Sequence, residues 1–213
     1  MASVISDRFL RFGLKPTVFV VSLLPMAWLI GLGFSGGLGA NPVEALTRGM
    51  GDWALRFLLI TLALTPLRQV TGWTGFVRFR RMLGLFAFFY ATLHLLSYLG
   101  LDHGFDFGLL WADIVKRLYI TIGMAGFVIL VVLAATSPKA AVKRLGGKRW
   151  QALHRTVYAA GILAVLHFYL MVKADHREPL IYGGILAVLL GFRLFRFQVA
   201  KRARRLRPSS LAR

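Results

Sequence analysis

Residues 118–136 read LYITIGMAGFVILVVLAAT, an uncharged apolar run long enough to cross the roughly 30 Å hydrocarbon core of a bilayer as one helix. It has five companions: 17–34, 52–67, 82–100, 152–172 and 180–197. The run at 52–67 is the poorest, being short and carrying Arg56. Lipid offers the backbone no hydrogen-bond partners, so lipid-facing spans of this kind must be helical. The expected fold is an all-α integral membrane protein, a six-transmembrane-helix bundle forming a single domain over 1–213. Pro25 is expected to bend the first helix. Composition agrees. Of the 213 residues 57% are hydrophobic and 16% charged, where a soluble chain would carry about a quarter charged.

Charge placement sets the orientation. Most of the 27 Lys and Arg fall in 8–15, 68–81, 139–149 and 193–213, at the two ends of the chain and in its second and fourth connections. The other connections, with Asp52 at the edge of the second span, hold seven of the eight acids. The positive-inside rule therefore places both termini in the cytoplasm. The basic tail, 198–213, reads as a topology determinant resting on anionic lipid rather than as a nucleic-acid arm. The first apolar run is too long for a usual signal peptide, and Leu38 spoils a small-residue cleavage pattern ending at Ala40, so it reads as a retained helix. Between the third and fourth spans, Leu110, Trp111, Ile114 and Val115 could form a short interfacial helix face.

Function has to come from the few polar groups within the spans. There is no cysteine, which removes disulfides, iron–sulfur clusters and covalent c-type haem. No Asp or Glu falls inside a predicted span, and Asp52 stands at the edge of one, which counts against a proton relay or cation transporter. Histidine remains. LHLLSYLGLDH (93–103) and LHFYLMVKADH (166–176) share the same Leu-His and Asp-His spacing. Both lie on spans expected to run in the same direction, so His94 and His167 stand at equal depth, about 12 Å below the acids Asp102 and Asp175. Two imidazoles at equal depth on parallel helices can clamp an iron, and neutral imidazole suits the iron of a b-type haem.

His154 lies about 20 Å from His167 along a regular helix, too far to share one iron. It is either a ligand of a second centre or an interfacial histidine beside Arg155. His103 and His176 fall in connections and read as surface groups. The spacing suits zinc poorly, since neither Cys nor a compact His pair accompanies it. Arg56 could hold a haem propionate or pair with Asp52 one turn away. Gly146 and Gly147, among basic neighbours, could receive a flavin phosphate or simply form an orienting loop. Phe86, Phe88, Phe89, Tyr90, Tyr98, Tyr158, Phe168 and Tyr169 flank the histidines and could wall a porphyrin or a quinone, or merely pack the bundle.

Three long runs carry a resemblance: NPVEALTRGMGDWALRFLLITLALTPLR, RRMLGLFAFFYATLHLLSYLGLD and GKRWQALHRTVYAAGILAVLHFYLMVKAD. They resemble the MsrQ (formerly YedZ) family, haem-binding membrane subunits of the bacterial periplasmic methionine sulfoxide reductase system. The core of that family is similar to the transmembrane part of ferric reductases. The resemblance implies a b-type haem protein of the bacterial inner membrane, with FMN also associated. Electrons would come from membrane quinol or from a separate flavin reductase and pass to the periplasmic molybdopterin partner MsrP, which repairs oxidised proteins. The chain would thus be an electron-transfer subunit rather than the catalytic one. Family haem ligands carry over onto His94, His154 and His167. In the oxidase relatives two helices each carry two histidines, holding two haems; here the third span has only His94, with Arg80 and Arg81 at the other expected position. The resemblance therefore implies one or two haems. Relatives also carry a cytoplasmic flavin and nicotinamide domain, whereas only a short tail follows the last span here. Two other readings stand beside this one: a stand-alone transmembrane ferric or cupric reductase, and a cofactor-free transporter or membrane scaffold.

Overall fold

Each apolar run folds as helix; most of the helices extend beyond the run, while that at 118–136 ends at Ala135 and that at 152–172 is broken at Arg155 and Thr156. The computed structural model describes residues 7–205. Its long helices are α1 (Asp7–Phe34), α2 (Pro42–Thr71), α3 (Phe76–Asp102), α5 (Leu118–Ala135), the broken pair α7 (Gly147–His154) and α8 (Val157–Met171), and α9 (Arg177–Arg205). Two short helices lie in connections, α4 (Phe107–Lys116) and α6 (Lys139–Leu145). Among the described residues six segments are thus long and apolar enough to cross a membrane. The tail expected from 198 onward is still helix as far as Arg205; residues 206–213 lie outside the described part.

The span that reads poorest in sequence is the centre of the bundle. Half of the most apolar window of α2 is buried, against 6% for α9. Leu55, Phe57, Leu58, Leu59, Leu62 and Leu64 supply that core. A helix surrounded by protein can carry Thr47, Asp52 and Arg56, because neighbouring helices rather than lipid meet them. It also begins early. Asn41 accepts the Glu44 N–H at 3.3 Å and donates to the Glu44 carboxylate at 2.8 Å, a reciprocal cap just ahead of Pro42. Gly72 ends α2 with φ 75°, the left-handed conformation that glycine adopts without strain. Asp52 is therefore not at the edge of a span: ten residues of helix precede it, about 15 Å.

Each mid-helix proline is accommodated by a side chain from another helix. Pro66 has no N–H, so the Leu62 carbonyl loses its usual donor. Arg193 of α9 donates Nη2–H to that carbonyl at 2.6 Å, and Nη1–H to Tyr158 Oη at 2.5 Å. At Pro25 the Tyr90 hydroxyl enters the ladder of α1. It accepts from Met26 N–H at 3.1 Å and donates to the Ser22 carbonyl at 2.8 Å, on a side chain that is fully buried. An inserted group of this kind is a recognised cause of helix kinks.

The outward faces are apolar as well: Trp28, Phe34, Val188 and Phe195 are all more than half exposed. In a membrane those are the lipid contacts. At the less basic end of the bundle α3 closes on a π-helical turn, Tyr98–Asp102. The chain then folds back through α4, capped by Asp106, which accepts from Gly108 N–H and Leu109 N–H. Of the face expected on α4, Trp111 and Val115 point outward while Leu110 and Ile114 are half-buried, and Asp113 faces in.

Candidate functional site

His94 on α3 and His167 on α8 face one another. Their ring centroids lie 6.1 Å apart and their planes cross at 77°. Equal depth on parallel helices, inferred from a short repeat, is what brings them together. Each ring is fixed from behind. His94 Nδ1 lies 2.8 Å from the Thr47 carbonyl of α2, and His167 Nδ1 lies 2.6 Å from the Tyr119 carbonyl of α5. A carbonyl can only accept, so both protons sit on Nδ1 and both Nε2 atoms keep a lone pair.

Two glycines make room for the rings. A Cβ at Gly51 would stand 3.0 Å from His94 Nδ1, and one at Gly123 would stand 2.7 Å from His167 Nδ1. No other residue type fits at Gly123 without moving the imidazole.

The pair lines a cavity of about 470 Å³. Its walls use small side chains, among them Ala54, Ala91, Gly126, Ala160 and Ala164. Volume and apolar lining are those of a cofactor site. The cavity reaches the less basic end, where Arg48, Tyr98, His103, Asp113 and Arg117 line it. Among the described residues three buried side-chain polar atoms lack a hydrogen-bond partner: Thr47 Oγ1, His103 Nε2 and Arg193 Nε. Thr47 and His103 both belong to this cavity.

These residues fit a planar iron cofactor. Two iron–imidazole bonds of about 2 Å, each continued by roughly 1.1 Å to the ring centroid, separate two opposed ligand rings by about 6 Å. The observed centroid spacing is 6.1 Å. Backbone carbonyls on the far nitrogens are the usual second partners of ligating histidines. No group of three or more His, Cys, Asp or Glu able to hold a bare metal ion occurs among the described residues. Such an iron would therefore rely on other ligands, as a porphyrin supplies.

Other expectations land elsewhere. His154 closes α7, and the helix breaks at Arg155 and Thr156 before α8 begins. Its Nε2 lies 3.1 Å from Thr136 Oγ1, and its ring stacks on Trp150 at 4.0 Å. No second imidazole stands opposite it among the described residues.

Arg56 does not line the cavity. Its Nε–H donates to Tyr182 Oη at 2.8 Å and its guanidinium lies over Trp53. The basic side chains at the cavity are Arg48 and Arg117. His103 is not a surface group, since its side chain is only 16% exposed. His176 is half-buried against Tyr169. Of the aromatic residues singled out in the sequence, Tyr98 and Phe168 line the cavity; Tyr119 and Phe127 line it as well. Tyr90 serves α1 and Tyr158 serves Arg193.

Sequence reasoning missed Gly51, Gly123, the Thr47 and Tyr119 carbonyls, and the Arg48, Asp113 and Arg117 rim. Glycine inside an apolar span was the available cue, because small residues mark close helix approaches.

Residues 50–165 match the family model described as ferric reductase like transmembrane component. Three curated proteins, each named protein-methionine-sulfoxide reductase heme-binding subunit MsrQ, resemble the chain over most of its length. The one from Rhodospirillum rubrum is 61% identical over 193 residues, 90% of this chain and 91% of that protein. The one from Polaromonas naphthalenivorans is 51% identical over 192 residues, covering 89% and 88%. The one from Caulobacter vibrioides is 49% identical over 178 residues, covering 84% and 85%.

Proposed function

The chain belongs to the MsrQ family of haem-binding subunits, and from that membership we propose that it is a b-type haem electron-transfer subunit of the bacterial inner membrane. One observation carries this reading: two imidazoles 6.1 Å apart, each held by Nδ1 on a backbone carbonyl. His94 and His167 would hold the haem iron through Nε2. A haem bound there would take up and release one electron at a time. The residues hold the rings still, keep both Nε2 atoms unprotonated, and surround the group with apolar walls that exclude water. These are the levers by which a protein sets a haem's potential.

By the positive-inside rule the histidine pair lies toward the periplasm. Electrons come from membrane quinol or a separate flavin reductase and leave toward MsrP, the periplasmic molybdopterin subunit, which reduces methionine sulfoxide in oxidised proteins. We assign one haem to the pair. A second, on His154, would need an opposite ligand of another kind. FMN enters only through the family resemblance and has no side chain assigned to it.

The test is the reduced-minus-oxidised visible spectrum of the purified chain with its haem-to-protein ratio. A six-coordinate b-haem signal is expected, lost in both His94→Ala and His167→Ala. Full haem retention in both variants would overturn the ligand assignment, and a colourless wild-type chain would favour a cofactor-free scaffold.

A further inference from the structure

At the open end of the cavity four groups at or just beyond the ends of α3 and α4 form one constellation. Asp113 is its hub. It accepts from Tyr98 Oη–H at 2.5 Å on Oδ2, and Arg117 Nε stands 3.2 Å from Oδ1. His103 packs edge-on against the Tyr98 ring, with centroids 4.6 Å apart. His103 Nε2 lies 3.4 Å from Asp113 Oδ2 but makes no hydrogen bond, and it is enclosed. Tyr98 and Asp113 thus hold an imidazole whose outer nitrogen faces the Asp113 carboxylate but makes no hydrogen bond.

Two of the four acids lining the cavity are paired. Glu44 pairs with Arg48, and Asp113 pairs with Arg117. Asp52 stands one turn from Arg56, and Asp102 is exposed. Arg117 spends Nε on Asp113 and one Nη1 N–H on Tyr119 Oη at 3.2 Å. A guanidinium has five N–H donors, so others remain. The donor capacity the rim leaves unused is that of His103 Nε2 and the spare fork of Arg117.

The rim is also close to the ligands. Tyr98 follows His94 by one helical turn, about 6 Å along the axis. Arg117 precedes by two residues the Tyr119 carbonyl that holds His167.

The geometry points to a carboxylate-binding rim: His103 Nε2–H and the free N–H groups of Arg117, positioned by Tyr98 and Asp113, receive a propionate of the tetrapyrrole seated between His94 and His167. The assignment rests on the haem reading above, and it gives the propionate role to this rim instead of Arg56. It also gives α4 a purpose, since that helix carries Asp113 over the cavity. Charge-assisted hydrogen bonds of this kind are each worth roughly a tenfold change in affinity or more.

The experiment compares two probes on the full chain in detergent, stripped and then titrated. One is iron protoporphyrin IX; the other is its dimethyl ester, which keeps the ring and iron but lacks the carboxylates. Wild type should bind the acid at least tenfold tighter than the ester. His103→Ala and Arg117→Gln should lose that preference, chiefly by weakening the acid. Amide hydrogen exchange over 103–117 should slow when the acid binds and less so with the ester.

Equal binding of acid and ester by wild type, or a preference that survives in both variants, overturns the rim while leaving the haem reading intact. Tighter binding of the ester would show that the four cavity acids dominate, and would overturn it too. A wild-type chain that binds neither probe removes the haem reading and the rim with it.

Discussion

Gly123 offers the most direct test of how the histidine pair is gripped. In Gly123→Ala the new Cβ would start 2.7 Å from His167 Nδ1, 2.9 Å from Cε1 and 3.2 Å from Cγ. Non-bonded contacts relax toward about 3.5 Å, so the ring must retreat by about 0.8 Å. The whole near edge of the imidazole is met, so rotation of a flexible tip cannot relieve the clash. The same movement disturbs the 2.6 Å contact from Nδ1 to the Tyr119 carbonyl. Metal–ligand distances tolerate only about 0.2 Å. Loss of an outer hydrogen bond on a ligating histidine typically costs 10- to 100-fold in affinity, and Gly123→Ala should weaken haem binding by about that factor. Gly51→Ala, whose Cβ starts 3.0 Å from His94 Nδ1, requires a smaller shift and should cost less. Gly191→Ala has no atom within 4 Å and should change nothing. Haem titration followed at the Soret band gives the three constants in one assay. If Gly123→Ala binds haem as tightly as Gly191→Ala, with an unchanged six-coordinate spectrum, the ring is not held where the structure puts it.

Arg193→Leu strands the Leu62 carbonyl beside Pro66 and should destabilise the chain by about 1–2 kcal/mol, read as thermal unfolding in detergent. Adding Pro66→Ala restores a donor in the helix and should recover part of that loss; no recovery would refute the proline account. Arg56→Ala should leave haem content and midpoint potential unchanged, because its guanidinium is committed to Tyr182 and Trp53 outside the cavity. His154→Ala should leave the haem held by His94 and His167 intact, so any fall in the haem-to-protein ratio would report a second centre.

The spans were legible because lipid imposes one demand on every outward position, and mean hydropathy records it. The span at 52–67 was under-read for the same reason reversed. Its walls are protein, so Thr47, Arg48 and Asp52 could enter it and shorten its apparent length. The histidine pair was legible from depth alone, because residue spacing sets height along a helix. Rotation about the axis was not, since it depends on neighbours that sequence does not name. That is why Arg56 and Tyr90, at plausible depths, point to other partners. His103 was misread because α3 runs on through a π-helical turn and α4 folds back over it, turning a connection into a wall. Backbone carbonyls such as those of Thr47 and Tyr119 leave no trace in side-chain identity at all.

Unpaired polarity inside a membrane is expensive, so the places where it is tolerated carry information. Among the described residues all but three buried side-chain polar atoms have a hydrogen-bond partner, several of them on another helix. Tyr90 bridges the gap at Pro25, Arg193 serves the carbonyl freed by Pro66, and Arg56 meets Tyr182. Against that background the cavity stands out. It holds two imidazole nitrogens with lone pairs left over, plus Thr47 Oγ1 and His103 Nε2, which are enclosed and without partners. A scaffold stabilised only by helix packing gains nothing from leaving those four atoms unmatched in one place. A site that awaits an iron between two rings, with polar arms reaching the rim, leaves just such a set. The same logic ranks the histidines. His154 Nε2 already has Thr136 Oγ1 within hydrogen-bond distance, so a metal there would have to displace an existing contact, whereas His94 and His167 need displace nothing.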